Sequence, residues 1–194
     1  MRILRASDYK RMPWKNGGGE TVEITVSPER ASLETFDWRI SMATVATDGP
    51  FSSFAGIDRT LSILSGNGMN LTIKGMPPVS LNQQSDPLRF PADVETTATL
   101  TDGPITDLNV MTRRGVFRHQ VEKRTAPIAA PEALQTRLIL NGGTAMRCDW
   151  RGGSVDLAHL DCLIIDPHAP ALTVAGDGTI YLVHLDNESQ SPSC

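Results

Sequence analysis

Leu61-Ser62-Ile63-Leu64-Ser65-Gly66-Asn67-Gly68-Met69-Asn70-Leu71-Thr72-Ile73 decides the fold class. Leu61 and Ile63 alternate with serines. Met69, Leu71 and Ile73 alternate with polar residues, and Gly66-Asn67-Gly68 stands between the two runs. A period of two places successive side chains on opposite faces of a strand. Asn-Gly supplies the positive φ angles that a tight hairpin turn demands. The stretch therefore reads as two antiparallel strands and their turn.

The same pattern extends both ways. Val22, Ile24 and Val26 alternate with Thr21, Glu23 and Thr25 until Ser27-Pro28 breaks the run. Trp38, Ile40 and Met42 alternate with Arg39, Ser41 and Ala43 and end at Asp48-Gly49-Pro50. Residues 95–100 and 105–112 read as strands joined at Asp102-Gly103-Pro104, and short strands follow at 138–140, 145–150, 155–157, 162–165, 172–174 and 179–185. Only 131–136 reads as a helical turn. Many short strands punctuated by Gly, Asn and Pro predict an all-β fold, a sandwich or barrel. Periodicity fades near 115–135, so two tandem antiparallel β-barrels or jelly-roll-like sandwiches are expected. The first spans residues 1–120, the shorter second 121–187, and 188–194 is a flexible tail.

The 194 residues suffice for a core without disulfide or metal staples. A formal charge of −4 argues against a nucleic-acid surface, which needs a basic face. Cys148, Cys162 and Cys194 have no CxxC spacing, which fits a reducing compartment. Charges throughout Met1 to Trp14 leave no apolar secretory segment, and no stretch reaches membrane-spanning length. The cytoplasm is the expected location.

Trp14-Lys15-Asn16-Gly17-Gly18-Gly19-Glu20-Thr21 is the most distinctive loop. Three glycines in a row are entropically expensive, so they mark positive φ or a close approach to the main chain. An aromatic, a cation, an amide and a hydroxyl around them fit a binding loop. Asp107, Asn109, Met111 and Arg113 share one strand face, opposite Leu108 and Val110. That face is either wetted surface or the lining of a cavity. Lys15, Arg39, Arg59 and Arg113, if they converge, would make a carboxylate pocket through guanidinium hydrogen bonds. Asp58 beside Arg59 reads as a surface pair or turn bridge. His119, His159, His168 and His184 form no HxH or HxxxH pair and read as loop or strand-surface residues, so no metal site is expected. No GxSxG elbow and no GK[ST] phosphate loop is present, and no catalytic residue is assigned.

Four runs together carry a resemblance. Trp14 to Thr21, Trp38 to Ala43, Gly49 to Arg59 and Asp107 to Arg113 resemble, in order and spacing, the HutD/Ves family of bacterial cupins, with the HutD type closer. The resemblance implies a bicupin, two cupin barrels in one chain. Metal-binding cupins carry HxH and a Glu on their first motif, and a His on their second. The matching stretches here, 54–66 and 105–113, contain no histidine, so the resemblance implies a cofactor-free cupin with a polar pocket. HutD-type members are associated with histidine utilisation, with a suggested role in binding urocanate or formylglutamate to restrain flux or expression.

The ligand-binding set expected is Trp14, Lys15, Asn16, Gly17, Gly18, Thr21, Arg39, Arg59, Asp107, Asn109 and Arg113. Trp14 would stack on a flat ligand, the cations pair with its carboxylate, and Asn16, Thr21, Asp107 and Asn109 orient it. A metal-free isomerase or lyase with Asp107 or Asp58 as base is the alternative. A third expectation is assembly through sheet faces, as a homodimer. Binding is favoured over catalysis because no recognisable catalytic set is present.

Overall fold

Alternating apolar residues build strands along the whole chain. They are β1 (Arg2–Leu4), β2 (Lys10–Pro13), β3 (Gly19–Ser27), β4 (Trp38–Val45), β5 (Gly49–Pro50), β6 (Ile57–Ser65), β7 (Met69–Ile73), β8 (Val79–Leu81), β9 (Leu88–Pro91) and β10 (Thr96–Leu100). After these come β11 (Ile105–Arg113), β12 (Phe117–Thr125), β13 (Ile128–Ala130), β14 (Thr136–Asn141), β15 (Met146–Trp150), β16 (Gly153–Leu157), β17 (Cys162–Ile165), β18 (Leu172–Ala175) and β19 (Thr179–Asn187). The structure, a computed structural model, describes residues 1–15 and 17–188.

The chain divides into two units. One is Lys10–Arg118; the other joins Met1–Tyr9 to the chain from His119 onward. In the first unit a six-stranded antiparallel sheet, ordered β2-β3-β4-β11-β6-β9, faces a four-stranded one, β5-β10-β7-β8. Ala43, Val45, Leu61, Ile63 and Ile105 from the larger sheet close on Met69, Leu71, Ile73 and Ala98 from the smaller. The second unit repeats the plan with β1-β17-β14-β19-β12 and β13-β18-β15-β16. Ile139, Leu163 and Leu182 there meet Cys148, Leu157 and Val174 across the layers. Each unit is thus a sandwich of two separate sheets. The closed barrels expected from the strand spacing do not form, because the edge strands of the two sheets in each unit are not paired to one another.

Three further expectations need correction. Residues 131–135 form no helix, and Thr136 begins β14; a 3₁₀ turn lies instead at Ala6–Asp8. The stretch 115–135 is not structureless, since it contains β12 and β13. The first nine residues, expected in the first unit, group with the second: β1 pairs with β17, Ile3 opposite Leu163.

Asn141 organises the turn that closes the second unit. It is wholly buried. Its amide nitrogen faces the carbonyls of Thr144, Leu157 and Ala158, while its Oδ1 accepts the Gly143 N–H at 2.9 Å. Asn141→Ala leaves these buried backbone groups unpaired and should cost about 2–3 kcal/mol, read as a shift in the urea unfolding midpoint. An unchanged midpoint would show that water replaces the amide.

Candidate functional site

The interior of the first unit is not uniformly apolar. On β11, Ile105 and Met111 both pack into inner clusters, so Asp107 and Asn109, which alternate with them, also point inward. Register adds the neighbours. Asp107 lies between Ala43 and Ile63, Asn109 between Ser41 and Leu61, and Met111 between Arg39 and Arg59. Three adjacent strands therefore bring Arg39, Ser41, Arg59, Asp107 and Asn109 to one buried layer, all below 9% exposed. Leu108 and Val110, on the opposite face of β11, are buried as well. The polar face is buried and not wetted surface.

The two arginines differ in how they are committed. Arg39 Nε donates to Glu23 Oε2 at 2.7 Å, and its Nη1 reaches Ser41 Oγ at 3.4 Å. Its charge is already matched. Arg59 Nη2 donates to the Ser52 carbonyl at 3.3 Å, and its buried Nε has no hydrogen-bond partner among the described residues. The rings of Phe51, Phe54 and Phe90 surround its guanidinium at 5.2, 5.4 and 5.8 Å. Such contacts hold a cation through the ring quadrupoles while keeping water away. Burial lowers the Arg59 pKa to about 10, opposed by Asp107 and reinforced by Arg39, so it remains charged at neutral pH.

Asp107 is the counterpart. The Asn109 amide donates to its Oδ1, while Oδ2 is buried with no partner. Burial pushes the carboxyl up to about 7, against the pull of Arg59 and of the Asn109 amide. A buried polar atom without a partner is costly, so two that face one interior mark a place built for another molecule or for water.

The other expected residues are placed as follows. Trp14 is half-buried, packs against the first unit's core, and donates its indole N–H to Thr21 Oγ1 at 2.8 Å. Lys15 and Gly17 are exposed and Gly18 is buried. The Gly17 N–H closes a turn onto the Trp14 carbonyl. Asn16 lies outside the described residues. Arg113 turns to the chain before β4, donating to the Phe36 carbonyl at 3.0 Å and the Glu34 carbonyl at 2.8 Å. Asp58, its neighbour Arg59 turned inward, bridges Arg89 and Arg114 on the surface. Sequence reading omitted Glu23, Phe51, Phe54 and Phe90. The shared alternation of Glu23 with Thr21 carried a signal for the first, but nothing in the sequence announced the ring cage.

Two histidines also depart from expectation. His119 is buried, and His184 lies opposite Arg137 on the inner face of the second unit. Among the described residues no group of three or more His, Cys, Asp or Glu side chains is placed to hold a metal ion. The inward layer of the first unit does not suit one either, since two guanidiniums donate, cannot ligate, and repel a cation. A hollow of about 530 Å³, lined by Ala129, Pro131, Trp150 and Leu172 among others, lies in the second unit. It supplies volume. Among the described residues, buried side-chain atoms without a hydrogen-bond partner lie in both units, at Arg59, Ser62 and Asp107 in the first and at Arg137 and His184 in the second. Only the first sets an unpartnered carboxylate oxygen beside an unpartnered guanidinium. The chemistry weighs more heavily.

Paired antiparallel sheets in each unit give the chain an all-β fold like that of cupins. A cupin 2 conserved barrel domain protein from Leptotrichia buccalis superposes with a TM-score of 0.54 at 11% identity, covering 86% of this chain and 88% of that one, a likeness of fold alone. The HutD family model matches residues 6–182, and the chain belongs to the HutD family. It is 32% identical over 186 residues to an uncharacterised 21.2 kDa protein of the hutC 3′ region of Pseudomonas putida, covering 95% of this chain and 97% of that protein. HutD from Pseudomonas fluorescens SBW25 superposes with a TM-score of 0.83 at 33% identity, covering 96% of this chain and 98% of that one. Protein Ves of Citrobacter koseri is 37% identical over 112 residues, 55% of this chain and 56% of that protein. None of the described residues forms a helix long and apolar enough to cross a membrane.

Proposed function

We propose that the protein is a metal-free regulator of histidine utilisation that binds a small carboxylate, such as urocanate or formylglutamate, inside the first unit. The observation that carries this reading is Arg59: a buried, charged guanidinium in a cage of three rings, its Nε–H unpartnered. A carboxylate accepts from such a donor strongly in a dry site. Asp107 and Asn109, on the neighbouring strand, orient the rest of the ligand. Each sandwich is one cupin, so the chain is a bicupin. Its setting is the cytoplasm, and its assembly a homodimer. The Pseudomonas putida relative, named for the hutC 3′ region, supports the pathway. Calorimetry with urocanate and with formylglutamate is the test; no heat and no thermal shift with either would reject the reading, because a bound ligand raises apparent stability.

Protonation of Asp107 should set the affinity. Below its pKa of about 7 the carboxyl is neutral and Arg59 is free for an incoming anion. Above it, a second carboxylate repels the ligand. Affinity for a carboxylate is therefore expected to fall about tenfold between about pH 6 and pH 8, and Asp107→Asn should flatten that slope. Stability moves the same way. The folded protein holds a proton that the unfolded chain, with its carboxyl near the ordinary value, has released, so stability declines as pH rises from that value through about 7.

That same carboxyl favours a second reading, a metal-free isomerase or lyase, since a group poised near neutrality suits proton transfer. Turnover of a pathway acid that disappears in Asp107→Asn would replace binding by catalysis.

A further inference from the structure

The second unit has an inward-facing charge of its own. Arg137 lies near the start of β14, opposite Ile165 of β17 and His184 of β19, and is 1% exposed. Its Nη1 donates to the Pro131 carbonyl, which fixes the plane of the guanidinium. Its Nε and Nη2 are buried and have no hydrogen-bond partner. These two nitrogens form one edge of the guanidinium, and their N–H bonds run side by side. Such an edge receives both oxygens of a carboxylate at once.

Nothing described in the chain fills that edge. Glu122 is taken by Arg124, whose Nε donates to it at 2.8 Å and whose Nη2 also bonds it. It approaches His184 Nε2 only to 3.6 Å. His184 Nδ1 lies 3.3 Å from Gln135 Nε2, and its buried Nε2 has no hydrogen-bond partner. Burial and then Arg137 lower the imidazole's pKa, opposed by Glu122 and Asp186, so His184 is neutral at pH 7. Cross-strand register sets it beside Arg137. One cation and two unpartnered sets of nitrogen atoms meet in one interior.

We propose that the Nε/Nη2 edge of Arg137, with His184 Nε2 beside it, is a second anion site, specific for a small monocarboxylate. A single guanidinium with Glu122 and Asp186 acting on the same cluster does not balance a dianion, which disfavours sulfate and the dianionic form of phosphate. The site stands independently of the first-unit reading, since it shares no residue with it.

Formate is the probe, as the smallest carboxylate, with inorganic phosphate as the comparison, both titrated at a mildly alkaline pH where phosphate is dianionic. The Arg137 Nε–H resonance of the full chain, assigned by its loss in Arg137→Lys, is followed during titration. It should shift saturably with formate, stay unmoved with phosphate, and behave identically in Arg59→Lys. Crystals soaked in formate should show a planar molecule on the Nε/Nη2 edge. Arg137→Lys should weaken formate binding at this site about tenfold or more, because an ammonium lacks the two parallel donors. A resonance indifferent to formate, or water alone on that edge in the soaked crystal, overturns the proposal by making Arg137 a hydrated arginine. An equal response to phosphate overturns the monocarboxylate assignment. The wild-type crystal soak needs no variant, so the proposal is tested even if Arg137→Lys fails to fold. Loss of urocanate and formylglutamate binding at Arg59 with retention of the Arg137 response would separate the two sites.

Discussion

Arg59→Lys is expected to weaken the binding of a small carboxylate by about 10- to 100-fold while leaving the fold intact. Lysine keeps the charge, so the field on Asp107 survives. It loses the planar group that three rings enclose and the Nε–H that has no partner in the free protein. A hydrogen bond to a charged group contributes about 1.5–3 kcal/mol, which gives that range of affinities. Arg39→Lys offers the contrast. Its Nε is already bonded to Glu23, so the change should cost stability more than ligand affinity. Calorimetric titration of both variants with urocanate and formylglutamate, beside their unfolding midpoints, separates the roles. Equal binding by Arg59→Lys and the wild type would remove Arg59 from the site.

How far the sequence spoke follows from which faces of each strand are buried. Alternation marked β3 and β7, which leave polar residues at least partly exposed between buried apolar ones, and it marked β4 by residue type alone, since Arg39 and Ser41 there are buried. It grouped Asp107 with Asn109 but left their direction open. The reason is β11 itself, whose residues from Asp107 to Thr112 are all buried. A strand covered on both faces has no wet side to identify the dry one. β12 went unread because its sequence, Phe117 to Thr125, is largely charged and polar along both faces. Barrel closure was equally illegible, since it depends on which edge strands meet and not on the pattern within any of them.

The site was legible as a set of residue types more than as a geometry. Arg39, Arg59, Asp107 and Asn109 were drawn together from three separate runs, and register does bring them together. Arg113 belonged to the same run, yet its guanidinium is occupied by the Glu34 and Phe36 carbonyls of the chain before β4. Nothing in the sequence distinguishes an arginine held by backbone carbonyls from one that is free. Arg137 escaped notice for a related reason: Thr136 before it and Leu138 after it read as the start of an ordinary strand, while its burial depends on strands far along the chain.

The triple glycine leads to the second large effect. Gly19→Ala is expected to destabilise the protein by more than about 4 kcal/mol, a loss reserved for changes that break a buried feature outright. A Cβ at Gly19 would stand 2.1 Å from the Thr44 carbonyl oxygen and 3.0 Å from the Trp14 ring. The first obstacle is backbone of β4, held in register on both sides by β3 and β11, so it cannot retreat cheaply. The second is the indole whose N–H bonds Thr21, so the loop is displaced along with the strand. Gly17 makes the control. It has a φ of +71° but open space where a Cβ would go, so Gly17→Ala should cost only about 1–2 kcal/mol of left-handed strain. Urea unfolding of the two variants side by side reads the difference. If both losses were alike and small, the glycines would be there for a flexible turn; a large gap means that Gly19 is there because Trp14 and β4 leave no room for a side chain, and the loop's rigidity follows from that contact.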